Sequence, residues 1–324
     1  MTKQRVHYWS MLKGVAILAV LMIHIPMTSD TNGIIATRQI INFPVAVFYF
    51  LSGYFVKQGN SLWNEVKRPL YPYLIWSAIW SIITPPHSAI HGLMKVFTGG
   101  FSILYFLFVL IQLKLITSWL VKRVTSASWT WKTDILLFVT PLFLLLLNAV
   151  RLYTGSEKGV GLLSHFFPAW FIYYYIGLIC KFRNVTPRPS YMVLSLLVTL
   201  VISTLVAFSI LEVSPNVKIT YTQAKLTSMA YALCLIMLLY SVRDVNLPRN
   251  FLCRFGEMSF GIYILHMVVK ELGSRFISIM NIDVTPILSI PILKYILVLL
   301  VTVVILNICQ RLIPTKFLRI IGFE

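Results

Sequence analysis

Apolar runs recur along the chain at roughly 11–27, 40–56, 70–84, 101–121, 133–150, 166–181, 190–211, 225–241, 256–272 and 290–309, with short polar segments between them. Each holds about 15–22 residues, close to the roughly 20 helical residues that cross a hydrocarbon core about 30 Å thick. The pattern predicts an all-α, polytopic membrane helix bundle of about ten transmembrane helices. No stretch is long and polar enough to fold separately, so 1–324 is expected to be a single integral-membrane domain. The run at 256–272 is where a partial, re-entrant crossing is most to be expected. The first run follows Lys3 and Arg5, as a signal peptide would. It contains Lys13 and His24 and lacks a small-residue cleavage site, so it is expected to stay as a span.

The loop charges predict a direction. With the N-terminus inside, seventeen of the 28 Lys and Arg fall in cytoplasmic segments and nine in outer ones, leaving Lys13 and Lys114 within runs. Every inner segment holds at least two, which fits an even number of spans with N- and C-termini cytoplasmic. By inspection, no inverted repeat of the kind common in secondary transporters is evident.

Composition agrees with lipid as the main solvent. Hydrophobic residues make up 58% and charged residues 12% of the 324 positions, and mean hydropathy is +0.82; soluble domains are about 45–50% apolar. A net charge of +18 suits a nucleic-acid binder in principle. Here the basic residues sit in short loops, as the positive-inside rule distributes them, and nucleic acid is not an expected partner. An anionic ligand such as a coenzyme phosphate can still use some of them. Cys180, Cys234, Cys253 and Cys309 have no metal-like spacing and are expected to be reduced.

Some polar residues lie inside the runs. Lys13 and His24 are eleven residues apart, which at about 100° each returns to within about 20° of the same face, some 16 Å along the axis. A lysine near a helix end can simply snorkel to the headgroups. His24 is too deep for that, and intramembrane ionisable groups default to function. In the ninth run Ser259, Tyr263 and His266 form one polar stripe at i, i+4 and i+7. For Ser259 and Tyr263 an interhelical hydrogen-bond seam is the expected role; His266 is a secondary chemical candidate. Lys67 and Arg68, before Pro69 as a first-turn residue, mark the cytoplasmic entry of the third run. Soluble catalytic motifs such as a P-loop, G-x-S-x-G or H-E-x-x-H are missing from the sequence. With only ten acidic residues, a paired-carboxylate site is not expected.

WSMLKGVAILAVLMIH (9–24) resembles the first helix of the membrane acyltransferase-3 family, where an Arg or Lys precedes a His across ten residues. FPVAVFYFLSGYFV (43–56), RPLYPYLIWS (68–77) and FGEMSFGIYILH (255–266) resemble its second, third and penultimate helices, in order over almost the whole chain. The resemblance implies a bacterial inner-membrane O-acetyltransferase using cytoplasmic acetyl-CoA, in the short form with no esterase-like domain. It makes Lys13 and His24 the signature pair and Arg68 the basic residue opening the third helix. Two departures touch the coenzyme contacts: Ser10 stands where many members have Asp, and Glu65 where a second basic residue is common.

On that resemblance, acetyl-CoA docks from the cytoplasm near Arg68 and Lys13 and its acyl group reaches His24. The imidazole, with an unperturbed pKa of about 6.5, suits a general base for a hydroxyl, or a covalent acyl carrier. His266 then orients the acceptor or completes the base. The acceptor is a glycan or lipid-linked sugar, and membrane lipid is the surrounding partner. The competing expectation is a transporter of a small polar solute or acyl group, with Lys13 and His24 as substrate or proton-relay sites. A third is an export component without chemistry.

Overall fold

The computed structural model describes residues 3–130, 132, 134–154, 164–213, 217–280 and 290–323, and every regular element among them is helical. In chain order these are α1 (Lys3–His24), α2 (Thr31–Ile41), α3 (Pro44–Tyr54), α4 (Leu62–Ile83), α5 (Ala89–Thr98), α6 (Tyr105–Leu115), α7 (Thr117–Thr125) and α8 (Val139–Thr154). They continue as α9 (Phe171–Arg183), α10 (Pro189–Val213), α11 (Val217–Thr220), α12 (Leu226–Ser241), α13 (Phe251–Glu257), α14 (Ser259–Ile279), α15 (Pro291–Leu312) and α16 (Thr315–Ile321).

Among the described residues, His7–His24, Thr31–Tyr54, α10 and α15 are each long and apolar enough to cross a membrane. Two bent pairs raise the four to six: α5 with Ser102–Leu115, bent by 43°, and α13 with α14, bent by 78°. The helical membrane architecture is as expected, while the ten apolar runs resolve into these four to six segments plus shorter helices. The runs at 133–150 and 225–241 form the shorter apolar helices Ile135–Leu147 and Leu226–Ser241. The run at 101–121 is divided at Ile116, between α6 and α7, and is set off from α5 because Gly99 ends α5 at φ +68° and Ser102 follows at φ +48°, conformations that stop a right-handed helix. In the run at 256–272, α14 begins only at Ser259, after the sharp bend. The third run also starts earlier than expected. Ser61 caps α4 by accepting from Asn64 N–H, which moves the helix start seven residues ahead of Pro69. Pro69 and Pro72 then lie inside the helix, each lacking one N–H donor.

The packing is inside-out relative to a soluble bundle. On α10 the buried side chains are Ser203 and Ala207, while Leu194 and Leu205 are more than 60% exposed. Ser203 Oγ donates to Gln39 Oε1 (2.8 Å), and the buried Lys225 ammonium donates to Gln39 Oε1, Ser203 O and Thr220 O at 2.9–3.1 Å. Polar groups thus turn inward to meet one another, and aliphatic ones turn toward lipid, where no free energy is lost by exposing them. Inside, α3 is the central element: every residue from Pro44 to Tyr54 is buried except Phe48 and Ser52. Those two are four apart and share a face.

Two glycine crossings bring the central helices into backbone contact. A Cβ on Gly14 of α1 would lie 2.0 Å from Leu252 O, and one on Gly256 of α13 would lie 1.7 Å from Ser10 O. On the other side of the core, a Cβ on Gly53 of α3 would meet Tyr174 O at 2.1 Å, and one on Gly177 of α9 would meet Phe50 O at 2.2 Å. Small residues are what permit such approach between membrane helices. Gly256→Ala is therefore expected to destabilise the detergent-solubilised protein by about 3 kcal/mol through overpacking. Gly273→Ala on α14, where nothing lies within 4 Å of the added carbon, serves as the control. Thermal unfolding of both variants checks this; equal midpoints would mean that the close crossing carries no stability.

Candidate functional site

Three adjoining cavities follow α1 from its middle to its C-terminal end. The first, about 310 Å³, is lined by Lys13, Lys57, Glu65, Arg68, Lys114 and neighbouring apolar groups. The second, about 200 Å³, shares Lys13, Phe48, Ser52, Leu110 and Phe260 with the first and reaches His24. The third, about 340 Å³, shares Val20, His24, Val45 and Tyr105 with the second and is lined further by Arg38, His165, Lys218 and Tyr221. Lys13 stands at one junction and His24 at the other, so the common face inferred from their spacing is the face that meets the cavities. Phe48 and Ser52, the two incompletely buried residues of α3, complete the opposite wall.

His24 ends α1, where unpaired carbonyls accumulate. Lys270 Nζ donates to the His24 carbonyl (2.9 Å), and Arg38 donates to Ile23 O (3.1 Å), so two cations hold the negative end of the helix. The His266 ring, 0% exposed, lies 5.4 Å from the His24 ring, centroid to centroid, with 43° between their planes. Its Nδ1 is 3.0 Å from Ile262 O; a carbonyl only accepts, so Nδ1 carries the proton and Nε2 is left as an acceptor. That Nε2 has no hydrogen-bond partner among the described residues. Of the rest of the stripe, Tyr263 O–H donates to Ile103 O across the helix interface, as a seam residue would, and Ser259 and Tyr263 both line the second cavity.

At the other junction the Lys13 ammonium lies 5.5 Å from the centre of the Phe55 ring, a cation–π contact that helps a lysine remain inside the bundle. Arg68 is exposed and lines the first cavity. The departure at Glu65 has a local explanation. Lys114 of α6 donates to Glu65 Oε2 (2.7 Å) and to Ser52 O (3.3 Å), and Asn60 donates to Glu65 Oε1 (2.7 Å). An acid on α4 is thus met by a base on α6, with side chains only 13% and 11% exposed.

The structure therefore brings His24 and His266 together at one end of the passage, and Lys13 and Arg68 onto the first cavity at the other. Lys114, Arg38 and Lys270 belong to the same surroundings and were not singled out by sequence reasoning. Lys114 carried a signal, being a lysine well inside an apolar run. Arg38 and Lys270 read as ordinary loop charges.

A bundle of apolar helices around a charged, histidine-bearing passage defines a membrane protein. The family model described as an acyltransferase domain matches residues 6–309, nearly the whole chain, and the protein belongs to this acyltransferase-3 family. It is accordingly a membrane acyltransferase. No curated protein and no solved structure matches the chain.

Lys114→Met is expected to destabilise the protein by about 2 kcal/mol, because it leaves the Glu65 carboxylate largely buried without its cation. Adding Glu65→Gln should recover most of the loss. Thermal unfolding of the two single variants and the double variant checks the coupling, which additive effects would exclude.

Proposed function

We propose that this protein is an O-acyltransferase of the bacterial inner membrane that moves acetyl from cytoplasmic acetyl-CoA to a hydroxyl of a cell-surface glycan or its lipid-linked precursor. The observation that carries the reading is the position of His24, at the junction of the second cavity, which follows α1 from Lys13, and the third, which lies at the C-terminal end of α1. Membership of the acyltransferase family supports the reaction class. The excess of basic loop residues on the side of the first cavity supports placing that side in the cytoplasm.

In this reading the phosphates of acetyl-CoA meet Arg68 and Lys57 at the first cavity, with Lys13 further in, where fork-shaped and point-like cations pair with phosphate oxygens. The pantetheine arm follows the mainly apolar second cavity past Phe48 and Phe260. The thioester carbonyl then reaches the junction at His24. There His24 takes the proton of the acceptor hydroxyl, the oxygen attacks the thioester carbon, and the thiolate of coenzyme A leaves. His266 packs against the base and supports its orientation. Lys270 and Arg38, bonded to the carbonyls of residues 24 and 23, keep the end of α1 in place.

General-base assistance contributes about 10²–10⁴-fold to such reactions. His24→Gln is expected to lose turnover of labelled acetyl-CoA by that factor in proteoliposomes, at unchanged expression and thermal stability; near-normal turnover would overturn the assignment. Uptake of label into vesicles without acyl turnover would instead favour a carrier. Arg68→Ala is expected to raise KM for acetyl-CoA several-fold with kcat nearly unchanged, since it removes a contact made equally in ground and transition states. Steady-state kinetics separate the two constants.

A further inference from the structure

Acyl transfer passes through a tetrahedral intermediate whose former carbonyl oxygen carries a negative charge, and a donor aimed at that oxygen lowers the barrier. His24, acting as the base, does not serve this oxygen. The second and third cavities share four lining residues among those described: Val20, His24, Val45 and Tyr105. Two of them are aliphatic, so at the junction Tyr105 is the side chain besides His24 that can form a hydrogen bond. The other donors of the second cavity, through which the thioester arrives, are committed or distant. Ser52 Oγ donates to Phe48 O (2.7 Å), and Tyr263 O–H donates to Ile103 O. Lys13 lies about 16 Å from His24 along α1, and Ser259 about 10 Å from His266 along α14.

Tyr105 opens α6 and is half-buried. Its ring stacks on that of His165, with 5.2 Å between centroids and 15° between planes, and tilts against Trp170 at 6.4 Å. Both neighbours are themselves pinned: His165 Nδ1 is 2.9 Å from Thr98 O, and Trp170 Nε1 donates to Ser164 O (2.8 Å). The stack thus holds the phenol ring in place before any substrate arrives. It uses the ring alone, and the Tyr105 hydroxyl makes no hydrogen bond among the described residues. A tyrosine hydroxyl inside a protein normally has a partner.

We propose that this partner is the thioester carbonyl oxygen, and that Tyr105 is a catalytic residue whose hydroxyl stabilises the oxyanion formed there. The proposal rests on the acyl-transfer reading above and adds a group to its chemistry. As His24 takes the proton of the acceptor hydroxyl, the acceptor oxygen bonds to the thioester carbon and the carbonyl π pair moves onto oxygen. Tyr105 meets that charge with its O–H and keeps its own proton. The pair then returns to re-form the carbonyl, the carbon–sulfur bond breaks, and the thiolate takes the proton from the His24 imidazolium. A donor already fixed by its neighbours costs no reorganisation at the moment of reaction.

The test uses the full-length protein in proteoliposomes with Tyr105→Phe, which removes the hydroxyl and keeps the stacking ring. Hydrolysis of labelled acetyl-CoA, with water as the acceptor, is expected to fall about 10²–10³-fold in kcat with KM nearly unchanged, the signature of a lost oxyanion donor. A second measurement needs no turnover: the infrared stretch of the carbonyl in bound acetyldethia-CoA, which has a ketone in place of the thioester. A hydrogen bond weakens the C=O bond, so the stretch is expected at lower frequency in the unaltered protein than in Tyr105→Phe. Replacement of Tyr105 by 3-fluorotyrosine, a stronger donor of nearly the same shape, is expected to lower the frequency further and serves if Tyr105→Phe does not fold. An unmoved stretch, or turnover of Tyr105→Phe within about threefold of the unaltered protein, overturns the proposal. Hydrolysis that depends on His24 but not on Tyr105 overturns this assignment alone. Hydrolysis that is independent of His24 overturns the transfer reading, and this assignment with it.

Discussion

The close crossing of α1 over α13 positions most of the site. Because neither Gly14 nor Gly256 has a side chain, the two backbones approach until a single added carbon would fall within 2.0 Å of a carbonyl oxygen. That contact aligns α1 beside the bend from which α14 departs. The bend then sends α14 along α1, and His266 arrives against His24, and Lys270 against the end of the same helix. The matching contact between Gly53 and Gly177 seats α3 in the core, with Phe48 and Ser52, its two incompletely buried residues, lining the first and second cavities. In a lipid environment the hydrophobic effect cannot bring helices together, so close backbone packing and interhelical hydrogen bonds have to do so.

Charges in this protein are placed where helix ends or other charges can meet them. Lys114 and Glu65 neutralise each other beside the first cavity, and Lys225 is surrounded by three oxygens away from the passage. Lys270 and Arg38 answer the exposed carbonyls at the end of α1. Among the buried side-chain atoms without a hydrogen-bond partner among the described residues is one imidazole nitrogen of His266. Unsatisfied buried groups are uncommon in folded proteins. This one belongs to the ring that lies against His24.

Much of the candidate site was legible along the chain. The eleven-residue spacing of Lys13 and His24 predicted a shared face, and both residues line the second cavity. The stripe of Ser259, Tyr263 and His266 predicted an inward face of α14, and all three are buried in the bundle. Arg68 could be placed at an entrance because it follows a cluster of loop charges. Arg38 and Lys270 were not legible, since a basic residue near a span end looks the same whether it faces headgroups or a helix terminus. Lys114 could be noticed but not paired: Glu65 lies 49 positions earlier, and only the packing of α4 on α6 makes them neighbours.

Helical membrane architecture was determined by the sequence alone, because the supply of apolar side chains leaves lipid as the main solvent and lipid requires every backbone hydrogen bond to be made within the chain. The residue pattern also carried the family resemblance that the domain match bears out over residues 6–309. The division of the apolar runs into unbroken, bent and short helices was decided by tertiary structure. Each break depends on what covers the freed backbone groups, and that partner is usually remote in sequence. The same holds for the passage itself. A cavity is the space that several helices leave between them, and no single helix encodes it.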